Sequence, residues 1–474
     1  MSRRCRHRDP RSSLTSSPLH LLPLLPEESP TSIIAYSLSH EFYKEQVEEY
    51  LSIDADNGTA KHEPSSWSSE LISLKHHERE SEGGGQDGQQ GGGAHAAAAA
   101  ARDPSAERSR GASLELQMLS SQKTHIKHRF ADVDAKGRPQ CTFLCQSYYS
   151  TQFEAVRRAY LDDDDDAGYI ESLAVAMEWA AQGGKSGATF LKTADGRFVV
   201  KKITKTELQM FLEWAPKYFE YMSRGFFHRC ASVLCKIVGV YSVGHTIKGG
   251  GRVTEQVVVM QNLFHSRDMT RVFDLKGSTR SRYVKPPVAP GNTAAGGAAA
   301  ATAAGGASDT DGGDKDSEAD GEADGEAPGA VAEKEKVTVV QLDENLMEFT
   351  EGRPLPLHDI AKAYLNAAVL NDSLFLSLVN VVDYSIVVGM DDSKDELVIG
   401  IIDYMRQYDI LKRMERMGKS VTMIAGQAEP TIVQPENYKK RFVAAMERYF
   451  MLVPDKHSIF TLASPRAGGG ASGY

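Results

Sequence analysis

Nowhere does this sequence run for the roughly eighteen apolar residues that a membrane-crossing helix needs, so no such helix is expected. The most apolar helical stretch, Ala367–Val382, is interrupted by Asn371, Asp372, Ser373 and Asn380. Cysteine is scarce, with five in 474 residues, which points to a reducing compartment and not to a disulfide-stapled secreted fold. Cys141/Cys145 and Cys230/Cys235 lack C-x-x-C spacing and clustered histidines, so they are read as buried free thiols rather than one zinc site. The P-loop pattern G-x-x-x-x-G-K-[ST] is missing, as are D-F-G and H-R-D-x-x-x-x-N. His265–Asp268 (H-S-R-D) is a decoy for the last of these: it lies too early and no Asn follows at the right spacing. Net acidity is also largely local. The chain carries −10, but Asp309–Lys336 holds eleven acids against three bases and supplies −8 of it. The remainder is near balance, so local basic patches can still bind anions.

What is present suffices for a sizeable core: 41% apolar and 8% aromatic residues. Length allows one large or two medium domains. Residues 1–124 read as a mostly disordered leader, with an Arg/Ser/Pro-rich start, an apolar island at 32–43 and a Gly/Gln/Ala linker at Gly83–Ala101. Order is expected to begin near His125. Strand signals run from His128 to Tyr149, then helical patterns over Phe153–Tyr160 and Tyr169–Ala181, with the Asp162–Asp166 run between them read as a solvated turn. Gly183–Ile203 (G-G-K-S-G-A-T-F-L-K-T-A-D-G-R-F-V-V-K-K-I) reads as a glycine-rich loop and a hairpin, a side-chain-poor tip suited to lying over phosphates. Lys201 shares a strand face with Val199 and Ile203, so it needs an anion or must snorkel. Lys202 faces the other way, and two surface lysines on an edge strand remain the alternative.

Glu207 opens a helix over Thr204–Arg224, with Pro216 as a kink or break. A strand lysine followed by a helix glutamate is the ion pair that positions ATP in protein kinases; the alternative is an acid favoured by the helix macrodipole. Met260–Phe264 stands where a kinase would have its hinge. Next comes V-F-D-L-K-G-S-T-R-S-R (Val272–Arg282): an acid at a strand end, then a lysine, a glycine and arginines. It suits a phosphate site, and a polar turn is the equal alternative. Residues 286–336 are read as a disordered insertion. Leu357–Asn380 is helical, with Ala361, Tyr364, Leu365, Val369 and Leu370 on a face compatible with burial. Val382–Tyr404 is a hairpin that leaves Asp403 at the mouth of a buried strand, where a magnesium ligand is expected. Asp409–Lys419 has helical spacing, with Lys412, Arg413, Arg416 and Lys419 around a methionine stripe: an interfacial helix on an anionic membrane or a surface helix with a core-facing stripe. Asn437–Pro454 reads as a C-terminal helix, and 461–474 as a flexible tail.

In order, G-G-K-S-G-A-x-F, R-F-V-V-K-K, F-D-L-K-G-S-x-R-S-R, D-Y-S-I-V-V-G and I-I-D-Y resemble the phosphatidylinositol phosphate kinase family over about Phe130–Pro454, insertion excepted. S-I-I-A-Y-S-L-S, T-E-L-Q-M-F-L-E-W-A-P-K-Y-F-E-Y and G-Q-A-E-P-T-I-V-Q-P-E-N-Y-K-K-R-F look like the phosphatidylinositol 3-phosphate 5-kinase (PIKfyve-like) branch. The resemblance implies an α+β, two-lobed kinase fold: an antiparallel-sheet N-lobe (125–263) and a smaller mixed C-lobe (264–460). It implies transfer of the ATP γ-phosphate to the 5-hydroxyl of phosphatidylinositol 3-phosphate, with a 4-phosphate substrate or a catalytically dead phosphoinositide scaffold as alternatives. Under it, Asp274, Lys201 and Asp403 are catalytic, and Asp403 binds Mg2+. Gly184, Gly187, Lys201, Glu207, Asn262 and Leu263 meet ATP; Lys276, Arg280, Lys412, Arg413 and Lys419 meet phosphate or lipid headgroup. The implied partner is a phosphoinositide on an anionic membrane, with no nucleic acid and with regulators unspecified. The implied location is cytoplasmic and peripheral on endosomal or vacuolar membranes. Such relatives carry a FYVE zinc finger and a chaperonin-like domain upstream, which five scattered cysteines and this leader do not supply, so a truncated or short form is expected.

Overall fold

The computed structural model describes residues 29–56, 65–73, 104–133, 139–161, 166–179, 189–246, 251–278, 282–284, 339–408 and 433–454. Runs of β-branched residues build the larger sheet. Its strands are β1 (Ile126–Val133), β2 (Pro139–Ser147), β3 (Ala176–Trp179), β4 (Phe190–Thr193), β5 (Phe198–Ile203), β6 (Ile237–Thr246) and β7 (Arg252–Gln261). They lie in the order β1-β2-β6-β7-β5-β4-β3, every neighbouring pair antiparallel. The second sheet contains β8 (Arg271–Leu275), β9 (Val340–Gln341), β11 (Ser385–Asp391) and β12 (Glu396–Ile402), ordered β12-β11-β8-β9. It is mixed: β8 and β9 are parallel, the other pairs antiparallel. The expected α+β architecture, an antiparallel sheet beside a smaller mixed one, is present. A parallel pair, β10 (Leu355–His358) and β13 (Phe450–Val453), lies apart from both.

Helices tie the sheets together. α6 (Lys205–Phe227) runs on through Pro216, where the sequence marks a kink or break. Its neighbours Trp214, Tyr218 and Phe219 are all buried, and that packing outweighs the hydrogen bond the proline removes. The same core takes Phe211 and Tyr218 from α6, Phe273 from β8, Phe375 from α8 (Asp359–Leu378), Ile386 from β11 and Phe442 from α9 (Pro435–Tyr449). Backbone bonds then fix β12 against the entrance of β6: Cys235 N–H donates to the Ile401 carbonyl at 2.9 Å, and Ile401 N–H to the Val233 carbonyl at 2.8 Å.

Order starts well before His125. α1 (Pro30–Ser39) and α2 (Glu41–Asp56) bury Ile33, Ile34, Leu38, Tyr43 and Val47 in a core with Tyr169, Phe198 and Val200. Trp67 and α3 (Pro104–Leu119), through Met118, join the larger core. These pieces read as leader because their partner surfaces lie far along the chain, outside any local window. Four smaller expectations also change. Tyr169–Ala181 splits into α5 (Ala167–Ala174) and β3, because Ala176–Trp179 pairs with β4. Asp166 is not solvated: it receives the buried Arg157 at 2.8 Å from Nε. On α8, Tyr364 and Leu370 are exposed while Leu365 and Val369 are buried, so the core face is narrower than the pattern suggests. The C-terminal helix stops at Tyr449, where Phe450 enters β13. Cys145, Cys230 and Cys235 are buried free thiols, and Cys141 is a half-buried one. No helix among the described residues is long and apolar enough to cross a membrane.

Candidate active site

Three aspartates arrive at one end of the smaller sheet. The register pairs Leu275 with Ile386 and Ser385 with Ile402, so the end of β8, the start of β11 and the end of β12 coincide. Asp274 lies in β8, Asp383 two residues before β11, and Asp403 directly after β12. Asp383 and Asp403 hold left-handed backbones at φ 65° and 61°. For a residue with a Cβ this costs on the order of 1–2 kcal/mol, strain of a kind that gathers at functional sites. Gly277, at φ 69°, completes the corner; a Cβ there would lie 2.6 Å from that of Ala445, so only glycine lets the turn press onto α9.

The larger sheet contributes Lys201. Its side chain is 7% exposed, and Nζ donates to Asp403 Oδ1 at 2.6 Å across 202 residues of sequence. The adjacent lysines part ways: Lys202 lies on the other face and pairs with Glu255 at 2.9 Å. Glu207 is not the partner of Lys201, and the expected strand-lysine/helix-glutamate pair is corrected. A single residue, Thr204, joins β5 to α6, so the Glu207 side chain folds back as a capping box. It accepts from Thr204 N–H at 2.8 Å, while its own N–H donates to Thr204 Oγ1 at 3.1 Å. The other Glu207 oxygen takes Arg406 at 3.4 Å.

Lys276 Nζ donates to Asp383 Oδ1 at 2.5 Å and to the Asp383 carbonyl at 2.9 Å. Asp274 Oδ1 accepts from Arg282 Nη2 at 3.1 Å. Asn262 uses its side chain on the β4–β5 turn, donating from Nδ2 to the Gly196 carbonyl at 2.7 Å. Leu263 packs on β12, where a Cβ at Gly400 would come within 2.4 Å of it. Gly184, Gly187, Arg280, Lys412, Arg413 and Lys419 lie outside the described residues.

Sequence reasoning missed the group that organises this corner. Asp343, the first residue of α7 (Asp343–Phe349), is fully buried. It accepts from the N–H groups of Lys276 (3.1 Å), Gly277 (2.8 Å) and Ser278 (3.3 Å), from Arg282 Nε (2.8 Å) and from the Tyr449 hydroxyl (2.8 Å). Burial alone would lower the Arg282 guanidinium, yet Asp274 and Asp343 hold it above its usual value. The one signal in the sequence was an acid opening a helix, which is common. Asp383 and Arg406 were also passed over as partners, although Asp383 receives Arg406 as well as Lys276.

Among the described residues no cluster of three His, Cys, Asp or Glu could hold a metal unaided. Magnesium in phosphoryl-transfer sites takes one or two carboxylates and completes its shell with phosphates and water. Asp403, with its side chain 36% exposed, fits that donor set.

The family model described as Phosphatidylinositol-4-phosphate 5-Kinase matches residues 175–397 and 391–449. The human protein named 1-phosphatidylinositol 3-phosphate 5-kinase is 36% identical over 357 residues, covering 74% of this chain and 14% of that protein. 1-phosphatidylinositol-3-phosphate 5-kinase FAB1A of Arabidopsis thaliana is 33% identical over 449 residues, 92% of this chain and 21% of that protein. FAB1 of Saccharomyces cerevisiae, with the same activity in its name, is 33% identical over 347 residues, 72% of this chain and 13% of that protein. This chain thus spans a fifth or less of the length of most such relatives. With a family match over more than half of its residues and aspartates at the ends of β8 and β12, the chain belongs to the phosphatidylinositol phosphate kinase family.

Proposed function

We propose that this chain is the catalytic unit of a lipid kinase that moves the ATP γ-phosphate to the 5-hydroxyl of phosphatidylinositol 3-phosphate, giving the 3,5-bisphosphate. The observation that carries the reading is the Lys201–Asp403 ion pair at the same end of the smaller sheet as Asp274, which gathers a strand lysine, a metal-type aspartate and a second acid from separate elements. Phosphoryl transfer asks little covalent help of a protein beyond positioning and charge neutralisation. The choice of the 3-phosphate lipid rests on the activity that the relatives are named for.

In this proposal Lys201 holds ATP phosphates and the backbone near Asn262 and Leu263 meets the base, since both side chains have other work. Gly184 and Gly187 cover the phosphates. Asp403 holds Mg2+, which when bound neutralises charge on the transferring group. Asp274, oriented by Arg282, accepts the proton of the inositol hydroxyl. Lys276 and Arg280 face phosphates, and Lys412, Arg413 and Lys419 face the headgroup on an anionic membrane, at the cytoplasmic side of endosomes or vacuoles. Residues 125–263 and 264–460 serve as the two lobes.

The test is a panel of vesicles, each with one monophosphorylated phosphatidylinositol, incubated with the protein and Mg-ATP, followed by assignment of the product positions. Turnover of the 3-phosphate lipid to the 3,5-bisphosphate is expected. Turnover confined to the 4-phosphate lipid would shift the reading to the activity that the family model is named for. Headgroup binding without turnover, unchanged by Asp274→Asn, would make the chain a scaffold.

A further inference from the structure

The polarity of α8 is reversed. The helix carries three charged residues, Asp359, Lys362 and Asp372, and all three are buried. Its outward side is apolar: Ile360, Ala363, Tyr364, Leu370 and Leu378 are exposed, and Leu374 is half-buried. At 3.6 residues per turn these six fall on one side of the helix. No exposed residue of α8 carries a charge. Ile360 is 72% exposed, Leu370 42% and Leu378 41%. A face that stays in water collects charged residues, so an uncharged apolar stripe along a long helix marks a contact surface.

The path of the chain shows what can cover the stripe. β13 pairs with β10 in parallel, and their last pair is Val453 with His358. α8 begins at the next residue, Asp359, so the chain leaves β13 beside the first turn of α8 and the exposed Ile360. Residues 455–463 read D-K-H-S-I-F-T-L-A, and Ser458–Pro465 is eight residues without a charge. Extended, Asp455–Leu462 reaches about 26 Å, most of the ~30 Å length of α8. Another stretch of chain already lies against this helix: the Ile72 N–H donates to Asn371 Oδ1 at 2.8 Å, and Asn371 Nδ2 to the Ile72 carbonyl at 3.0 Å. An anionic membrane is a poor match, because the stripe offers it no lysine or arginine.

We propose that residues 455–463 of this chain lie along the outer side of α8, with Ile459, Phe460 and Leu462 covering its apolar stripe. Burial of three large apolar side chains offsets the cost of ordering a short segment already tethered at Pro454. The docking is independent of the lipid-kinase reading. A second copy of the chain or a lipid surface would bury the same stripe, and the test separates these occupants.

Full-length Leu370→Cys is labelled with a maleimide, and the labelled peptide is followed by mass spectrometry, which keeps the introduced thiol apart from the five native cysteines. With the tail intact, labelling is about tenfold slower than in the same chain carrying Ile459→Asp and Phe460→Asp. Ile53→Cys, at an exposed position of α2, reports general reactivity and changes by less than about twofold between the two tails. Should Leu370→Cys fail to fold, Ile360→Cys reads the same stripe. Equal labelling with either tail overturns the proposal. Protection that survives the tail substitutions and grows with protein concentration overturns it in favour of a second copy. Protection that appears only with vesicles of phosphatidylcholine and phosphatidylserine overturns it in favour of a lipid surface.

Discussion

Two sets of aspartates lie close together in this fold and behave differently. Asp274, Asp383 and Asp403 stand at the rim of the smaller sheet, with side chains 19%, 44% and 36% exposed, each tied to one or two cations. Asp343 and Asp372 are fully buried and saturated. Asp343 takes three backbone N–H groups, an arginine and a tyrosine; Asp372 takes the Tyr221 hydroxyl, Ser232 and the Val233 N–H. A carboxylate with a third or more of its side chain in water is held by its cation far less tightly than a buried one, so Asp383 and Asp403 can exchange a lysine for a metal ion or a substrate at smaller cost. A buried acid stripped of its donors loses several kcal/mol. The rim is therefore suited to chemistry and the interior to holding the rim in place.

The contrast breaks first, if it breaks, at the rim. Asp274→Asn and Asp403→Asn are each expected to cut the initial rate of phosphate transfer by about 10²–10⁴-fold with unfolding in urea unchanged within ~0.5 kcal/mol. A variant keeping more than about a tenth of the rate would move its residue out of the chemistry. At the interior, Asp343→Ala should cost ~3–5 kcal/mol in urea unfolding, and a loss under ~1 kcal/mol would erase the distinction between the two sets.

Asp372 sharpens the contrast through pH. Burial pushes its carboxyl from 3.8 up to about 6. Because the folded chain binds this proton more tightly than the unfolded one, the contribution is full below the ordinary value and is lost as pH rises through about 6. Relative to Asp372→Asn, the wild type should therefore lose ~3 kcal/mol of unfolding free energy between about pH 4 and about pH 7. A flat difference across that range would mean that the donors around Asp372 cancel its burial. The smallest effect is expected at Glu207, whose cap is worth ~1 kcal/mol, with the rate changed by less than about threefold in Glu207→Ala. A hundredfold fall in rate would restore Glu207 to the partnership with Lys201 that its position in the sequence suggests.

Much of the site is legible in the sequence because its parts are local. D-L-K-G-S announces an acid at a strand end followed by a glycine turn, and I-I-D-Y an acid at the mouth of a buried strand. Strand alternation sets Lys201 and Lys202 on opposite faces without saying which face is the inner one. That was decided by the smaller sheet, whose Asp403 meets Lys201, while Lys202 on the opposite face pairs with Glu255. Glu207 reads equally as an ATP-site acid and as a cap; the one-residue connection at Thr204 settled it, and connection length is visible only once the strand end is fixed. Asp343 was invisible because it stands 61 or more residues beyond the motif that supplies four of its five donors, and the fifth, Tyr449, lies farther still along the chain.

By itself the sequence determined the element types, the hairpins, the strand-end acids and the family resemblance, all of which follow from short-range periodicity, turn chemistry and contiguous motifs. Only the tertiary structure decided that Asp403 and not Glu207 meets Lys201, that Asp343 anchors the glycine turn, and that α1–α3 belong to the core. The reason is common to all three. Each depends on which surfaces face one another after the sheets pack through α6, and a long-range contact leaves no periodic trace in the chain that makes it.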